Sequence, residues 1–147
     1  MRVRSQNRLK IQRGSNLLEG ALVTGVFFMI IFGIVDFGRA VFDFNSVQYA
    51  ANAGARYAAV HGSASSSPAS ESDVATYVAT QLVGIASPTI TAKSVNFSTG
   101  VAATLPSGNT AGNFVDVSVQ YAFQPIAPYL PTGAWQMKGE SRMLISQ

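Results

Sequence analysis

Cysteine is absent from this 147-residue sequence, and histidine occurs once, as His61. Without cysteine the chain forms no disulfide, has no thiolate nucleophile and cannot build a cysteine-based zinc or iron–sulfur site. A single histidine excludes a multi-histidine metal site and argues against a Ser-His-Asp triad. A glycine-rich phosphate motif with a Walker lysine is missing as well. We therefore expect no metal, no cofactor and no catalytic residues, and we do not expect an enzyme.

Charged residues are scarce too, at 12% of the chain against about one quarter in an average globular protein. Five of the ten basic residues lie before Gly14, in a stretch without acids: Arg2, Arg4, Arg8, Lys10 and Arg13. The rest of the chain contains the other five basic residues and all seven acidic residues, so its net charge is five minus seven, or −2. No basic face interleaved with aromatic residues is present, and we expect no nucleic-acid partner.

A long apolar run follows the basic residues. Residues 17–35, LLEGALVTGVFFMIIFGIV, are nineteen residues interrupted only by Glu19 and Thr24. About 20 apolar residues cross a bilayer as a helix, so we expect one span of a lipid bilayer. The positive-inside rule places the N-terminus in the cytoplasm and everything after Asp36 outside. The run is too long for a cleaved secretory signal peptide, and the best small-residue triplet, Ala51-Asn52-Ala53, lies far beyond its end.

The helical pattern does not stop where the apolar run ends. Asp36 and Arg39 are spaced i, i+3, and Arg39 and Asp43 are spaced i, i+4, which favours a continued helix. Small and apolar residues then recur at helical spacing to about residue 60. We interpret Asp36, Arg39 and Asp43 as surface charges at the outer membrane boundary rather than as a catalytic carboxylate pair. His61 is expected to cap the last carbonyls of this helix.

The remaining residues predict a small extracytoplasmic α/β domain. Residues 61–72 are Ser-rich and are interpreted as a flexible linker. Ser70 and Asp73 resemble a capping box that opens a short helix ending near Val83, with Gly84 as its stop. Period-two patterns then predict strands, strongly over 113–123 and more weakly over 89–98 and 134–145.

The expected fold class is therefore α+β. A long N-terminal helix, with a transmembrane first half and an exposed amphipathic second half, packs on an antiparallel sheet of three or four strands. The expected division is a basic cytoplasmic leader (1–14), the transmembrane and extended helix (15–60), the linker (61–72) and the extracytoplasmic domain (73–147).

The entry into the apolar run carries a recognisable combination: a basic leader, Gly14, and Glu19 as the fifth residue after that glycine. This combination resembles the class III signal of type IV pilin-like proteins. The resemblance implies that a prepilin peptidase, a membrane-embedded aspartic peptidase, cuts between Gly14 and Ser15 on the cytoplasmic side. It also implies that the new α-ammonium of Ser15 pairs with Glu19 of a neighbouring subunit during assembly.

A finer resemblance lies downstream, over about residues 13–62. The segments Asp36-Phe37-Gly38-Arg39 and Gly54-Ala55-Arg56-Tyr57-Ala58 are similar to those of TadE-like pseudopilins from tight-adherence (Flp pilus) systems. Many relatives carry Glu where this chain has Asp36, so the charge is kept. The resemblance implies a pilin-like fold and a minor pseudopilin that works in a pilus or a related secretion apparatus. The implied location is the inner (cytoplasmic) membrane, and the implied partners are the peptidase, other pilin or pseudopilin subunits, an inner-membrane assembly platform and the lipid bilayer.

A second hypothesis comes from a different class of protein. The chain would be an uncleaved, signal-anchored envelope protein whose outer domain binds a partner or a ligand. Glu19 would then only reach the lipid headgroups, and Glu19→Ala would be neutral or slightly favourable for membrane insertion. Changes at Gly14 and Glu19 distinguish the two hypotheses.

Overall fold

The computed structural model describes residues 6–127 and 135–146, with side chains from Ser15 onward. The described elements are α1 (Gln6–Val60), α2 (Glu71–Gln81), β1 (Thr89–Val95), β2 (Ala102–Ala103), β3 (Phe114–Phe123) and β4 (Trp135–Leu144). The four strands form one antiparallel sheet, and the expected α+β fold class is confirmed. By contacts the chain divides into two units, Met1–Gly38 with Pro125–Pro131, and Arg39–Gln124 with Thr132–Gln147.

Helix α1 is continuous over 55 residues. Its sequence contains no proline, and a proline inside a helix removes a hydrogen bond and usually kinks the axis. The apolar run and the amphipathic stretch after it are therefore one helix, and it ends at Val60, where the periodicity predicted. The helix also extends further towards the N-terminus than Ser15, because its backbone is already helical from Gln6.

The sheet has the strand order β2-β1-β3-β4. β3 is a central strand whose valines at 115, 117 and 119 and whose Phe123 are fully buried, as its period-two pattern predicted. β1 pairs with it from Thr89↔Gln120 onward, and β4 from Phe114↔Leu144. The two weaker strand predictions are confirmed within a few residues. β2 was not predicted, because two alanines show no period.

The core of the second unit lies between the sheet and the last part of α1. The helix contributes small buried side chains: Val47, Ala50, Ala51, Ala55 and Ala58. Such residues let strands come close to the helix. A Cβ on Gly139 of β4 would lie 2.7 Å from the carbonyl oxygen of Val47, and a Cβ on Gly54 of α1 would collide with Val78 of α2. The alanine-rich face is thus used for packing inside the subunit.

Asn109 holds the C-terminal end of α1. Its Nδ2 donates to the carbonyl oxygens of Ala58 (3.1 Å) and His61 (2.9 Å), and its side chain is fully buried. The carbonyl of Asn109 accepts from the N–H of Ser63 at 2.7 Å. These bonds satisfy carbonyls that a helix end leaves unpaired. The Ser-rich stretch after α1 is therefore hydrogen-bonded to the domain at its first turn, which its composition did not predict.

Two predicted helix caps are confirmed. His61 bonds through Nδ1 to the carbonyl oxygen of Tyr57 at 2.9 Å. Ser70 and Asp73 form the reciprocal capping box of α2, and the hydrogen bonds from Ser70 lower the pKa of Asp73. α2 is shorter than predicted: it ends at Gln81, and Gly84 follows with a φ of +76°.

Gly139→Ala is expected to destabilise the sheet-bearing unit by about 1–3 kcal/mol, because the added methyl meets helix backbone that cannot move aside. Gly38→Ala is the matched control: its Cβ meets nothing within 4 Å, and alanine should stabilise the helix by up to about 1 kcal/mol. Thermal unfolding of both variants in the same detergent checks this. Equal melting temperatures for the two variants would show that β4 does not approach α1 this closely.

Asn109→Ala is expected to cost about 1–3 kcal/mol, because two carbonyls at the end of α1 lose their donor in a buried place. Asn52→Ala, at an exposed position on α1, should stay within about 0.5 kcal/mol of the parent. Denaturant unfolding followed by circular dichroism measures both. An unchanged free energy of unfolding in Asn109→Ala would show that this side chain does not stabilise the end of α1.

Candidate membrane-boundary and assembly site

Asp36 is a buried carboxylate directly after the apolar run. Its side chain is 3% exposed. Both of its oxygens accept the N–H of Ile126 at 3.0 Å, and Oδ2 also accepts the N–H of Ala127 at 2.7 Å. We call this arrangement, Asp36 with the two N–H groups of Ile126 and Ala127, the Asp36 clasp. All three residues belong to the first unit.

The clasp corrects the prediction that Asp36 is a surface charge. The prediction was wrong because a segment 90 positions away returns to the helix and covers the carboxylate. Between Pro125 and Pro128, only Ile126 and Ala127 have a backbone N–H, and both donate to Asp36. Those two residues lie outside regular strands, so the carboxylate satisfies donors that no ladder would pair. Charge-assisted bonds of this kind make burial of the charge tolerable.

Arg39 and Asp43, the other two predicted boundary charges, have different surroundings. The guanidinium carbon of Arg39 lies 5.3 Å from the ring centroid of Phe123, a buried residue at the end of β3. Cation–π contacts of this type contribute about 0.5–2 kcal/mol. Partial burial raises the pKa of Asp43, and the positive charge of Arg39 partly offsets that rise. Arg39 therefore acts on both the aromatic end of the sheet and a nearby carboxylate.

The three predicted processing and assembly residues share the first part of α1. The helix runs through the bond between Gly14 and Ser15, and Ser15 and Glu19 are one turn apart. Glu19 is exposed, and so are its neighbours Leu18 and Leu22. Among the side chains that the structure describes, none forms an ion pair with Glu19. The basic side chains before Ser15 lie outside that part.

The surface around this segment is apolar and unburied. Within the described residues, α1 is the one helix that is long and apolar enough to cross a membrane, with an 18-residue window of mean hydropathy 2.2, none of it buried. The described part of the chain thus contains one candidate membrane span. No group of three His, Cys, Asp or Glu that could hold a metal ion occurs in the described ranges.

Sequence reasoning placed Asp36 at the boundary and missed its partners Ile126 and Ala127. The one local signal was the proline pair at 125 and 128, which marks a segment without regular hydrogen bonding. That signal does not say which acceptor the two free N–H groups find. The sequence therefore identified the acceptor, Asp36, but not its donors, the N–H groups of Ile126 and Ala127.

Asp36→Ala is expected to accelerate amide hydrogen exchange at Ile126 and Ala127 by about tenfold to a hundredfold, because hydrogen bonds to a charged group contribute roughly 1.5–3 kcal/mol. Asp43→Asn is the control, since it removes a carboxylate from the same helix without touching those amides. Exchange measured by mass spectrometry on a peptide covering residues 124–127 reports both. Unchanged exchange in Asp36→Ala would mean that the clasp does not form in solution.

The chain was compared with known proteins, solved structures and protein-family models. No curated protein and no solved structure is matched by this chain. Residues 14–56 match the family model described as TadE-like protein. The matched segment begins at Gly14, contains Ser15, Glu19 and the three boundary charges, and ends at Arg56. The resemblance to TadE-like proteins that the sequence indicated is therefore confirmed over residues 14–56.

Proposed function

We propose that this chain is a TadE-like minor pseudopilin. It is cut between Gly14 and Ser15 by a prepilin peptidase and acts in the assembly of a Flp (tight-adherence) pilus or a related secretion apparatus. The observation that carries the proposal is the family match, which starts at Gly14 and runs across Glu19 and the Asp36 boundary. The proposed role is assembly, without catalysis by this chain.

The processing step suits the local chemistry. Hydrolysis adds one water across the Gly14–Ser15 amide, leaving a carboxylate on Gly14 and an α-ammonium on Ser15. A glycine inside a helix costs about 1 kcal/mol relative to alanine, so α1 unwinds more easily here than at its neighbours. The missing side chain also gives a peptidase access to the backbone. Once the leader is removed, Glu19 lies near a helix N-terminus, where a carboxylate is favoured.

The assembly step follows from the exposed state of Glu19. A carboxylate at the centre of a membrane helix costs roughly 2.5–3.5 kcal/mol on insertion scales, and less near the interface. Pairing with the Ser15 ammonium of a neighbouring subunit offsets that cost, and an unpaired partner in an apolar bundle is strongly unfavourable. Glu19 thereby sets the register in which subunits dock. The exposed apolar surface of α1 supplies the contact area, first to lipid and then to other pilin or pseudopilin subunits.

The proposal includes a topology and a division of the chain. The leader, residues 1–14, is cytoplasmic, and residues 15–60 form the transmembrane and extended helix of a single-pass inner-membrane protein. A linker (61–72) and the domain 73–147 lie in the periplasm or outside the cell. The partners are the prepilin peptidase, the inner-membrane assembly platform, other subunits and the lipid bilayer.

One observation favours the second candidate, an uncleaved envelope protein with a binding domain. The second unit carries an open groove of about 450 Å³ whose lining includes Tyr49, Arg56, Tyr57, His61, Tyr77 and Met143. Tyr57 stacks on Tyr77 at 4.5 Å and lies 4.2 Å from His61. Convergent polar and aromatic groups of this kind are common in ligand sites. Such a domain needs no cut at Gly14.

N-terminal sequencing of the protein recovered from membranes of its native host is the first test. We expect the parent chain to start at Ser15 and Gly14→Leu to start at Met1, because a bulky side chain blocks access to the scissile bond. Gly20→Ala is the control, as its Cβ meets nothing within 4 Å and it should be cut normally. A parent chain that starts at Met1 would favour the anchored envelope protein.

Glu19→Ala separates processing from assembly. We expect this variant to be cut at Ser15 but to fail in pilus or apparatus assembly, because the neighbouring ammonium loses its counter-charge. Glu71→Ala, which removes an exposed carboxylate from the first turn of α2, should assemble normally. Co-purification with other subunits and assays of surface adhesion measure the outcome. Full assembly of Glu19→Ala, or of an uncut Gly14→Leu, would contradict the proposed function.

A further inference from the structure

The Asp36 clasp holds a distant segment at a defined level of α1. Asp36 directly follows Val35, the last residue of the apolar run, so it marks the place where the helix leaves the hydrocarbon layer. The N–H groups of Ile126 and Ala127 are 2.7–3.0 Å from its oxygens. Residues 126 and 127 are therefore held at the boundary level, within the same unit as the apolar run.

The two clasped residues have opposite exposure. Ala127 is 3% exposed, whereas the side chain of Ile126 is 62% exposed although its backbone N–H is fixed on the carboxylate. Helix residues at the same level are also apolar and exposed: Ile34 at 67% and Phe37 at 71%. Ile126 thus adds to an apolar surface that begins on α1.

The charge pattern agrees with a lipid-facing position. No charged residue lies between Asp116 and Lys138 in the sequence. The one carboxylate at this level, Asp36, is satisfied by backbone N–H groups and does not depend on water for its hydrogen bonds. A segment without charges, next to a carboxylate that is already paired, enters the interfacial layer at low desolvation cost.

We infer that Ile126 is a second membrane contact, whose side chain enters the lipid layer at the outer boundary beside α1. The partner is the bilayer itself, and the inference rests on the proposed membrane span. The inference is supported by the position of Ile126, because its exposed apolar side chain continues the apolar surface of α1 at the level where the apolar run ends. The Asp36 clasp is the element that holds this contact in place.

Site-directed labelling tests the inference cleanly, because the chain has no cysteine of its own. The full chain carries a single cysteine at Ile126, labelled with an environment-sensitive dye, and is placed in phosphatidylcholine vesicles. We expect a blue-shifted emission, loss of emission with lipids that carry a nitroxide near the headgroup, and protection from iodide in the water. Quenching by iodide but not by the lipid nitroxide would overturn the inference.

Two further labelled variants serve as controls. Val26→Cys reports the span itself: a quenched Val26 label with an unquenched Ile126 label defeats the inference and leaves the proposed span intact. An iodide-accessible Val26 label defeats both. Phe97→Cys, whose parent side chain is 68% exposed in the other unit, measures unspecific dye adsorption, and quenching there equal to that at Ile126 would count against the inference.

A last experiment removes the Asp36 clasp. Asp36→Ala in the Ile126→Cys chain should restore iodide quenching at Ile126 while the label at Val26 stays protected. Retained protection at Ile126 would show that the segment reaches lipid without the carboxylate, and would overturn the role assigned to the clasp.

Discussion

Packing of the small-residue face of α1 against the sheet is the interaction on which the folded domain depends. The described residues after α1 form a short second helix and four strands, too few to bury a substantial core alone. The alanines of α1 supply the missing side of that core, and a glycine on β4 lets the strand approach helix backbone within van der Waals distance. Helix and sheet therefore stabilise one another, and Asn109 closes the arrangement where the helix ends.

Two carboxylates on helix α1 have opposite surroundings. Asp36 is satisfied inside the chain, by backbone donors from a segment far away in sequence. Glu19 is exposed among apolar side chains and forms no ion pair with the described side chains. The first carboxylate is paired within the fold, and the second is the one that the proposed function pairs with a neighbouring subunit. The contrast agrees with a structural role for Asp36 and with the assembly role proposed for Glu19.

Local sequence patterns predicted most of the helices and strands. The uninterrupted α1, the alternating valines of β3, the Ser70–Asp73 capping box and the His61 cap were all predictable, because each depends on residues within a few positions of one another. The two alanines of β2 are too short for a period to show.

Contacts between distant segments were not predictable. Asp36 bonds across 90 positions and Asn109 across 51, and nothing beside either residue identifies its partner. The close contact of Gly139 with the backbone of Val47 is likewise formed by residues far apart in the sequence. For the candidate site, the sequence therefore located Gly14, Ser15, Glu19 and Asp36 along the helix, whereas the surroundings of Asp36 required the folded chain.

The position of the clasp in the chain has a mechanical consequence. Residues 126 and 127 belong to the connection between β3 and β4, the two longest strands of the sheet. An axial pull on α1 is therefore carried to the domain by two parallel routes: the covalent chain after Asp36, and the hydrogen bonds that lead into the β3–β4 connection. Such a load moves β3 and β4 together, and it is therefore resisted by the seven-residue pairing of β3 with β1.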